Sequence, residues 1–368
     1  MIWVLILAAA FALVLAGVIL LRKPVAKAAG KRSVRIGLLA VFAIVFAVTC
    51  ILNFYDAMII QLHLLVFWLF GECADGVILY VRHRGEAKEP WLTGFLRVLI
   101  AAYIGCVFYL AIGWYAAHHV WQTEYRLTAE RDLGGSLRIA MISDSHVGDT
   151  FDADGFAELL HRIEQCNPDI VVVVGDFVDE YTTVEDMRAS AKALGEMKSK
   201  YGVYFVYGNH DRGGHGECAF SAEELDKALR ESGVHVLEDE AALVAERFYV
   251  IGRKDQSESR KSILELTQGL EDRYRIVLDH QPGDFDAESR AGVDLVLAGH
   301  THGGLLIPIG IAAKILPDVF GDFNLLYGRE TRGDTEFIVS SGIATCMFSF
   351  KTGAVSEYVI IDIDGKSR

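Results

Sequence analysis

Apolar and polar positions divide the chain into two regimes. The first 120 residues hold four long apolar runs, at 2–21, 34–52, 57–81 and 95–120. A bilayer core of about 30 Å is crossed by roughly 20 apolar residues in helical form, so each run predicts a transmembrane helix. The third run contains Glu72 and Asp75, acids that inside a membrane need a helix partner or a cavity, and its alternative is a shorter helix ending near Phe70. Beyond residue 136 the runs shorten to strand length. Leu137–Ile142, Ile170–Val174 and Val203–Val206 alternate with amphipathic segments at 155–166, 184–199 and 221–232, and later strands are expected at 248–251, 275–278, 293–297, 337–340 and 358–363. This pattern predicts strands and helices layered around a buried core. Ser221 and Glu224 form a Ser-x-x-Glu capping box that marks the start of the third helix. The expected organisation is a membrane domain at 1–122 with four transmembrane helices, a connector at 123–136 and a folded domain at 137–368.

Charge sharpens that division. The chain has 368 residues, 52% of them hydrophobic, and a formal charge of −14. Residues 1–122 carry ten Lys/Arg and five Asp/Glu, a formal +5, so the remainder carries 25 and 44, a formal −19. Lys and Arg accumulate on the cytoplasmic side of membrane proteins. The first loop holds Arg22, Lys23, Lys27, Lys31 and Arg32, the third holds Arg82, Arg84 and Lys88, and the second, at 53–56, holds no base. Loops one and three are therefore expected inside, and an even number of crossings places the acidic C-terminal domain outside the cytoplasm in a multi-pass membrane protein. Trp114, Tyr115 and Trp121 suit the outer interface. The rival for the first run is a cleaved signal peptide, but no basic segment precedes it. A domain at −19 disfavours nucleic acid as a partner. Cys166, Cys218 and Cys346 lack CxxC or zinc-finger spacing and read as small buried hydrophobes.

Five segments then stand out for their chemistry. Asp144-Ser145-His146, Gly175-Asp176, Gly208-Asn209-His210-Asp211, His280 and Gly299-His300-Thr301-His302-Gly303-Gly304 each follow an apolar, β-branched stretch. Ligands bind at the carboxyl ends of strands in open α/β sheets, so these distant donors are expected to converge on one metal centre. On extended backbone, residues two apart point the same way, which would aim Asp144 with His146 and His300 with His302. A carboxylate at Asp176 can bridge two cations. The Asn209 amide oxygen is a neutral donor, and the adjacent His210 can face a substrate. Singly, each segment also suits a turn or a core hydrogen bond, and the joint pattern is what points to metal.

Together these blocks resemble the calcineurin-like metallophosphoesterase superfamily, whose signature runs DxH, GD, GNHD, His and GHxH; all five occur here in order, over roughly 137–303. The phrasing of residues 201–211 and the Gly-His-Thr-His-Gly-Gly block are similar to its membrane-associated branch, related to UDP-2,3-diacylglucosamine hydrolases. The resemblance implies an α/β (α+β) sandwich of two mixed sheets flanked by helices. It implies two divalent metal ions, one held by Asp144, His146, Asp176 and His302, the other by Asp176, Asn209, His280 and His300. Mixed nitrogen and oxygen donors suit Mn, Fe, Zn or Co. His210 would be the catalytic histidine, oriented by Asp211 or another carboxylate.

The activity expected from the resemblance is hydrolysis of a phosphodiester, phosphomonoester or pyrophosphate bond. After Gly304 the chain departs from the branch pattern, because Leu305, Leu306 and Ile307 open an apolar stretch running to about Phe320. That stretch is expected either to pack in the core or to wall a groove facing the bilayer, and the second option favours a lipid-linked substrate and contact with membrane lipids. Arg212 is a candidate for phosphate binding, with a solvated loop as the alternative, and His215 reads as a bystander. Two rivals from other classes are a metal-binding sensor or interaction protein with an inactive site, disfavoured by the intact motif set, and a transporter with an appended domain, disfavoured by the scarcity of intramembrane charge.

Overall fold

Strand-forming pressure is plainest at Ile170–Val174, five consecutive aliphatic residues that are all buried. A strand buried on both faces has no use for polar alternation, and such strands belong to parallel sheets covered on both sides. In the computed structural model, which describes residues 54–82, 91–213, 218–307, 311, 315, 324–346 and 348–365, this strand lies at the heart of a six-stranded sheet. We label the described elements in chain order.

The chain divides between Trp114 and Tyr115 into two compact units. The N-terminal unit contains helix α1 (Phe54–Arg82) and most of helix α2 (Trp91–His118). Within them, Tyr55–Ile78 and Arg97–His118 are long and apolar enough to cross a membrane. Phe70, Ile104 and Phe108 are exposed on them, as on helices built for apolar surroundings. The third expected span is thus one continuous helix rather than one ending near Phe70. Its acids are partnered: Asp75 pairs with Arg97 at 2.5 Å, and Glu72 accepts from Trp68 Nε1 at 2.8 Å. The expected spans at 2–21 and 34–52 lie outside the described residues.

The C-terminal unit is a four-layer sandwich. Strand β1 (Val120–Ala129) is followed by β2 (Leu137–Ile142), α3 (Ala153–Glu164), β3 (Ile170–Val174), α4 (Val184–Gly195), β4 (Val203–Val206), α5 (Ala222–Glu231) and β5 (His235–Val236). These strands and β12 (Ser356–Gly365) form the first sheet, in the order β1-β12-β2-β3-β4-β5. Next come β6 (Glu240–Val244), β7 (Phe248–Gly252), α6 (Ile263–Thr267), β8 (Tyr274–Leu278), α7 (Phe285–Arg290), β9 (Leu295–Ala298), β10 (Gly328–Arg332) and β11 (Thr335–Val339), whose strands form the second sheet, β10-β11-β9-β8-β7-β6. Strands β2 to β5 run parallel, as do β7, β8, β9 and β11. Antiparallel neighbours β12, β6 and β10 make both sheets mixed.

Period-two alternation explains the layering. Ile139, Met141, Val172, Val174 and Val206 face the second sheet, where Val250, Ile276, Leu278 and Leu297 meet them. Their intervening neighbours Ala140, Ile142, Val171, Val173 and Phe205 face Phe156, Met187 and Leu225 of the flanking helices. Ile251, Val277 and Val296 cover the outer face of the second sheet with Ile263 and Phe285. Each fully buried aliphatic side chain contributes roughly 1.5–3 kcal/mol, which makes this double-faced core the main source of cohesion.

The capping box of α5 forms as expected, with Ser221 and Glu224 exchanging backbone bonds. Helices α3 and α4 stop two and four residues short of their expected ends, where i→i+3 bonds, Cys166 N to Ile163 O and Met197 N to Leu194 O, close the last turn. Residues 123–129, expected as connector, instead form most of β1, paired in register with β12 from Val120↔Ser356 to Ala129↔Gly365. An edge strand keeps one side in water, so Gln122, Glu124 and Arg126 diluted the apolar signal on which the connector expectation rested. The charged edge strands β6 and β10 escaped notice for the same reason. Most of the apolar stretch after Gly304, and His215, lie outside the described residues.

Candidate metal centre

Parallel strands β2, β3 and β4 of the first sheet end on one edge, and the chain leaves each one through a donor-bearing loop. Asp144 and His146 follow β2, Asp176 follows β3, and Asn209 and His210 follow β4. From the second sheet come His280 after β8, and His300 and His302 after β9. The loops are stitched across the sheets: Asp144 N donates to Gly175 O at 3.0 Å, His300 N to Asp144 Oδ1 at 2.8 Å, and His210 N to Asp176 Oδ1 at 2.8 Å. Backbone amides therefore hold both carboxylates before any cation arrives.

Two donor groups share Asp176. Asp144, His146 and Asp176 offer atoms within 4.8 Å of one another, and so do Asp176, His280 and His300. A third such group joins His146 and His302 to Cys346. His280 Nε2 is 3.1 Å from Asp176 Oδ2, and His146 Nε2 is 3.8 Å from the same oxygen. His302 Nε2 lies 3.6 Å from Asp144 Oδ1.

The convergence does not come from extended backbone. Asp144, His146, Asp176, His300 and His302 all have positive φ, between 38° and 70°. The strands end before the donors do, and the left-handed turns swing His300 toward Asp176 and His280 but His302 toward His146. Such conformations cost of order 1–3 kcal/mol each and persist only where surrounding contacts impose them, typically at functional sites. The glycines of the motifs have a steric role, since a methyl group on Gly208 would overlap the Asp176 carboxylate and one on Gly299 would overlap that of Asp144.

Three histidines are locked with one nitrogen facing the pocket. His280 Nδ1 donates to Val174 O at 2.8 Å and His302 Nδ1 to Ala344 O at 3.2 Å; carbonyls only accept, so each Nδ1 carries a proton and Nε2 is the nitrogen offered. His146 Nδ1 lies 3.0 Å from Asp179 Oδ2, with the same result. Buried and without a hydrogen-bond partner are His146 Nε2, His280 Nε2 and the Asn209 amide oxygen. Stranded donor atoms of this kind, next to two buried carboxylates, fit divalent cations bound through nitrogen and oxygen.

The electrostatics agree. Burial raises the Asp144 carboxyl, while at Asp176 the charges of His280, His210 and His146 outweigh burial and hold the group well below the usual carboxylate range. His146 is pushed up to about 9: burial opposes the shift, and Asp179 and Asp176 overcome it. Burial and the neighbouring His280 lower His300 to about 3. Left to its own side chains, the pocket recruits protons onto His146 and His280 to balance its carboxylates, which is a demand for positive charge that cations also satisfy.

The expected partner of His210 is Asp211 or another carboxylate. The Asp211 carboxylate accepts from the backbone amides of Phe177, Val178 and Gly208 at 2.8, 3.0 and 2.7 Å and is spent on holding the β3 and β4 loops together. The carboxylate of Glu180 lies closer to the ring, with Oε2 3.5 Å from His210 Nδ1. Arg212 is also committed elsewhere, to Glu238 at 2.7 Å, Glu258 at 3.0 Å and the face of Tyr207. Three residues escaped sequence reasoning. Asp179 and Glu180 had no spacing to mark them. Cys346 had one, because it follows the strand Thr335–Val339 and Ser340-Ser341-Gly342, the same strand-then-glycine pattern as the other blocks.

Comparison with known proteins agrees with this geometry. Residues 137–304 match the family described as calcineurin-like phosphoesterase. An uncharacterized metallophosphoesterase of Aquifex aeolicus is 30% identical over 254 residues, 67% of this chain and 92% of that protein. A transmembrane protein with metallophosphoesterase domain from Danio rerio is 30% identical over 200 residues, 50% of this chain but 44% of that protein's own length. An uncharacterized metallophosphoesterase of Bacillus subtilis is 28% identical over 232 residues, 60% of this chain and 81% of that protein.

Proposed function

This chain belongs to the calcineurin-like metallophosphoesterase family, and from that membership we propose that it is a membrane-anchored, dinuclear, metal-dependent phosphohydrolase cleaving a phosphodiester, phosphomonoester or pyrophosphate bond. The observation that supports this reading best is the shared carboxylate: Asp176 belongs both to the group with Asp144 and His146 and to the group with His280 and His300. In this reading Asp144, His146, Asp176 and His302 hold one cation, and Asp176, Asn209, His280 and His300 hold the other. When bound, such a pair supplies Lewis acidity, orients the phosphate and lowers the pKa of a water that attacks phosphorus in line.

The chain's own groups do the rest. The backbone amides of His210 and His300 pin Asp176 and Asp144, so neither carboxylate needs to reorganise when substrate arrives. His210 stands edge-on to His146 at 4.9 Å, at the rim of the donor cluster. With Nδ1 facing Glu180, its Nε2 proton is the one available to the departing alkoxide, and the carboxylate favours the imidazolium that carries it. No phosphoenzyme is required.

For the substrate we favour a lipid-linked phosphodiester or pyrophosphate, in line with the resemblance to UDP-2,3-diacylglucosamine hydrolases. Ile307, Ile311 and Ile315, spaced by four and exposed, follow directly on the His302 turn, and two candidate spans precede the domain. Lys/Arg bias in the loops supports an extracytoplasmic site. The test is a panel on the full-length, manganese-loaded protein in detergent: bis(p-nitrophenyl) phosphate, phospholipids, nucleotide-linked lipids and soluble nucleotides. Metal-stimulated hydrolysis is expected, greatest on a lipid-linked ester and reduced about 10²–10⁴-fold in His210→Ala with metal retained. Activity confined to soluble nucleotides removes the lipid assignment, and no hydrolysis of any substrate removes the enzyme.

A further inference from the structure

We propose that Cys346 supplies a thiolate to the cation site built around His146 and His302, giving this centre a sulfur donor beside its nitrogens and oxygens. The proposal rests on the reading of this pocket as a metal centre and adds a ligand that none of the five motif blocks contains.

After β11 the chain runs along the loop that follows β2. Ile343 N donates to Ser143 O at 3.0 Å, Ala344 N to Asp144 O at 3.1 Å and Thr345 N to Thr150 Oγ1 at 3.2 Å. Three consecutive residues are thus bonded to the loop that bears Asp144 and His146, and the next residue is Cys346. Its sulfur joins the ligand atoms of His146 and His302 in one group, all within 4.8 Å of each other. His302 Nδ1 donates to Ala344 O, so a single turn of chain both orients that histidine and delivers the thiol.

His146 faces the thiol with an unsatisfied nitrogen. This residue is fully buried, its Nδ1 is taken by Asp179, and its Nε2 has no hydrogen-bond partner. That nitrogen is the one His146 offers to the Cys346 group as well as to the group with Asp144 and Asp176. Bonds of about 2.0–2.3 Å to one ion place tetrahedral donors roughly 3.5 Å apart, so the trio closes on a cation with shifts of about an ångström or less. On coordination the Sγ–H proton passes to water and a sulfur lone pair forms the bond to the cation. A soft thiolate biases the site toward zinc and away from manganese or magnesium, which prefer oxygen. Cys346 Sγ also lies 3.9 Å from His210 Nε2, which puts this first cation next to the proposed acid.

Zinc-edge X-ray absorption on the full-length, zinc-loaded protein tests this without turnover. A sulfur shell at about 2.3 Å is expected beside nitrogen and oxygen at about 2.0–2.2 Å, and Cys346→Ser should lose the sulfur shell while keeping the lighter one. Bound zinc with only the lighter shell in the parent protein overturns the thiolate and leaves the metal centre standing. A sulfur shell that persists in Cys346→Ser assigns it to another cysteine and also overturns the proposal. Failure to bind zinc at all removes the metal centre and this ligand together.

Discussion

The two sheets meet at the same pocket with different chemistry. The rim of the first brings both candidate carboxylate ligands, Asp144 and Asp176, with Asn209, His146 and His210; the rim of the second brings His280, His300, His302 and Cys346, and among the described residues no carboxylate of its own joins a donor group. Histidines alone do not neutralise a pair of divalent charges, so the second rim can serve a cation only when packed against the first. The first rim can gather Asp144, His146 and Asp176 without help. The carboxylate donors and most of the histidine donors therefore reside on separate sheets, and the core between the sheets becomes a functional element as well as a stabilising one.

Removing the carboxylate common to both groups should break this division most severely. Asp176→Asn is expected to lose metal from both groups and to fall to background hydrolysis, read by metal analysis and by turnover of bis(p-nitrophenyl) phosphate; a variant that kept both ions would end the shared-carboxylate scheme. Within the first rim, Asp211→Ala strands three buried amides, each costing about 1–3 kcal/mol, so the domain should lose several kcal/mol in denaturant unfolding. If stability held while the pH–rate profile shifted, Asp211 would be acting on His210 after all.

Asp179→Asn probes the orientation of His146. Partners that fix a ligating histidine are typically worth 10–100-fold in metal affinity or activity, and a loss of about that size is expected in a metal-titration assay, with the second donor group unaffected. The smallest effect is one of pH. Because His146 rises from 6.5 to about 9 on folding, the folded chain binds that proton more tightly than the unfolded chain. Its contribution is complete below about 6.5 and disappears as pH rises through about 9. Thermal midpoints of the metal-free protein and His146→Gln, measured in chelator, should differ most near pH 6 and converge above 9; a constant difference would show that no such proton is held.

Much of this was legible before folding was considered. Alternating apolar runs located β2, β3, β4, β7, β8 and β9 because strand burial is a local pattern, and the capping box located α5 because its partners are three residues apart. Edge strands β1, β6 and β10 were illegible because water on one side permits charge there. At the site, seven candidate donors were readable from motif order, while the surroundings of Asp211, Asp179 and Glu180 were not: the Asp211 carboxylate, which the resemblance offered as a partner for His210, bonds the backbone of the β3 and β4 loops.

By itself, then, the order of residues determined the candidate donors of the five motif blocks, the strands that end beside them and the family to which the chain belongs. The tertiary structure shows how the candidate donors come together and adds Cys346 to them. His300 and His302 are two positions apart yet join different groups, and Cys346 joins His146 across 200 positions of chain. Periodicity reports on neighbours along the backbone, whereas a cation responds to distance through space, which here is set by left-handed turns and by the packing of one sheet on the other.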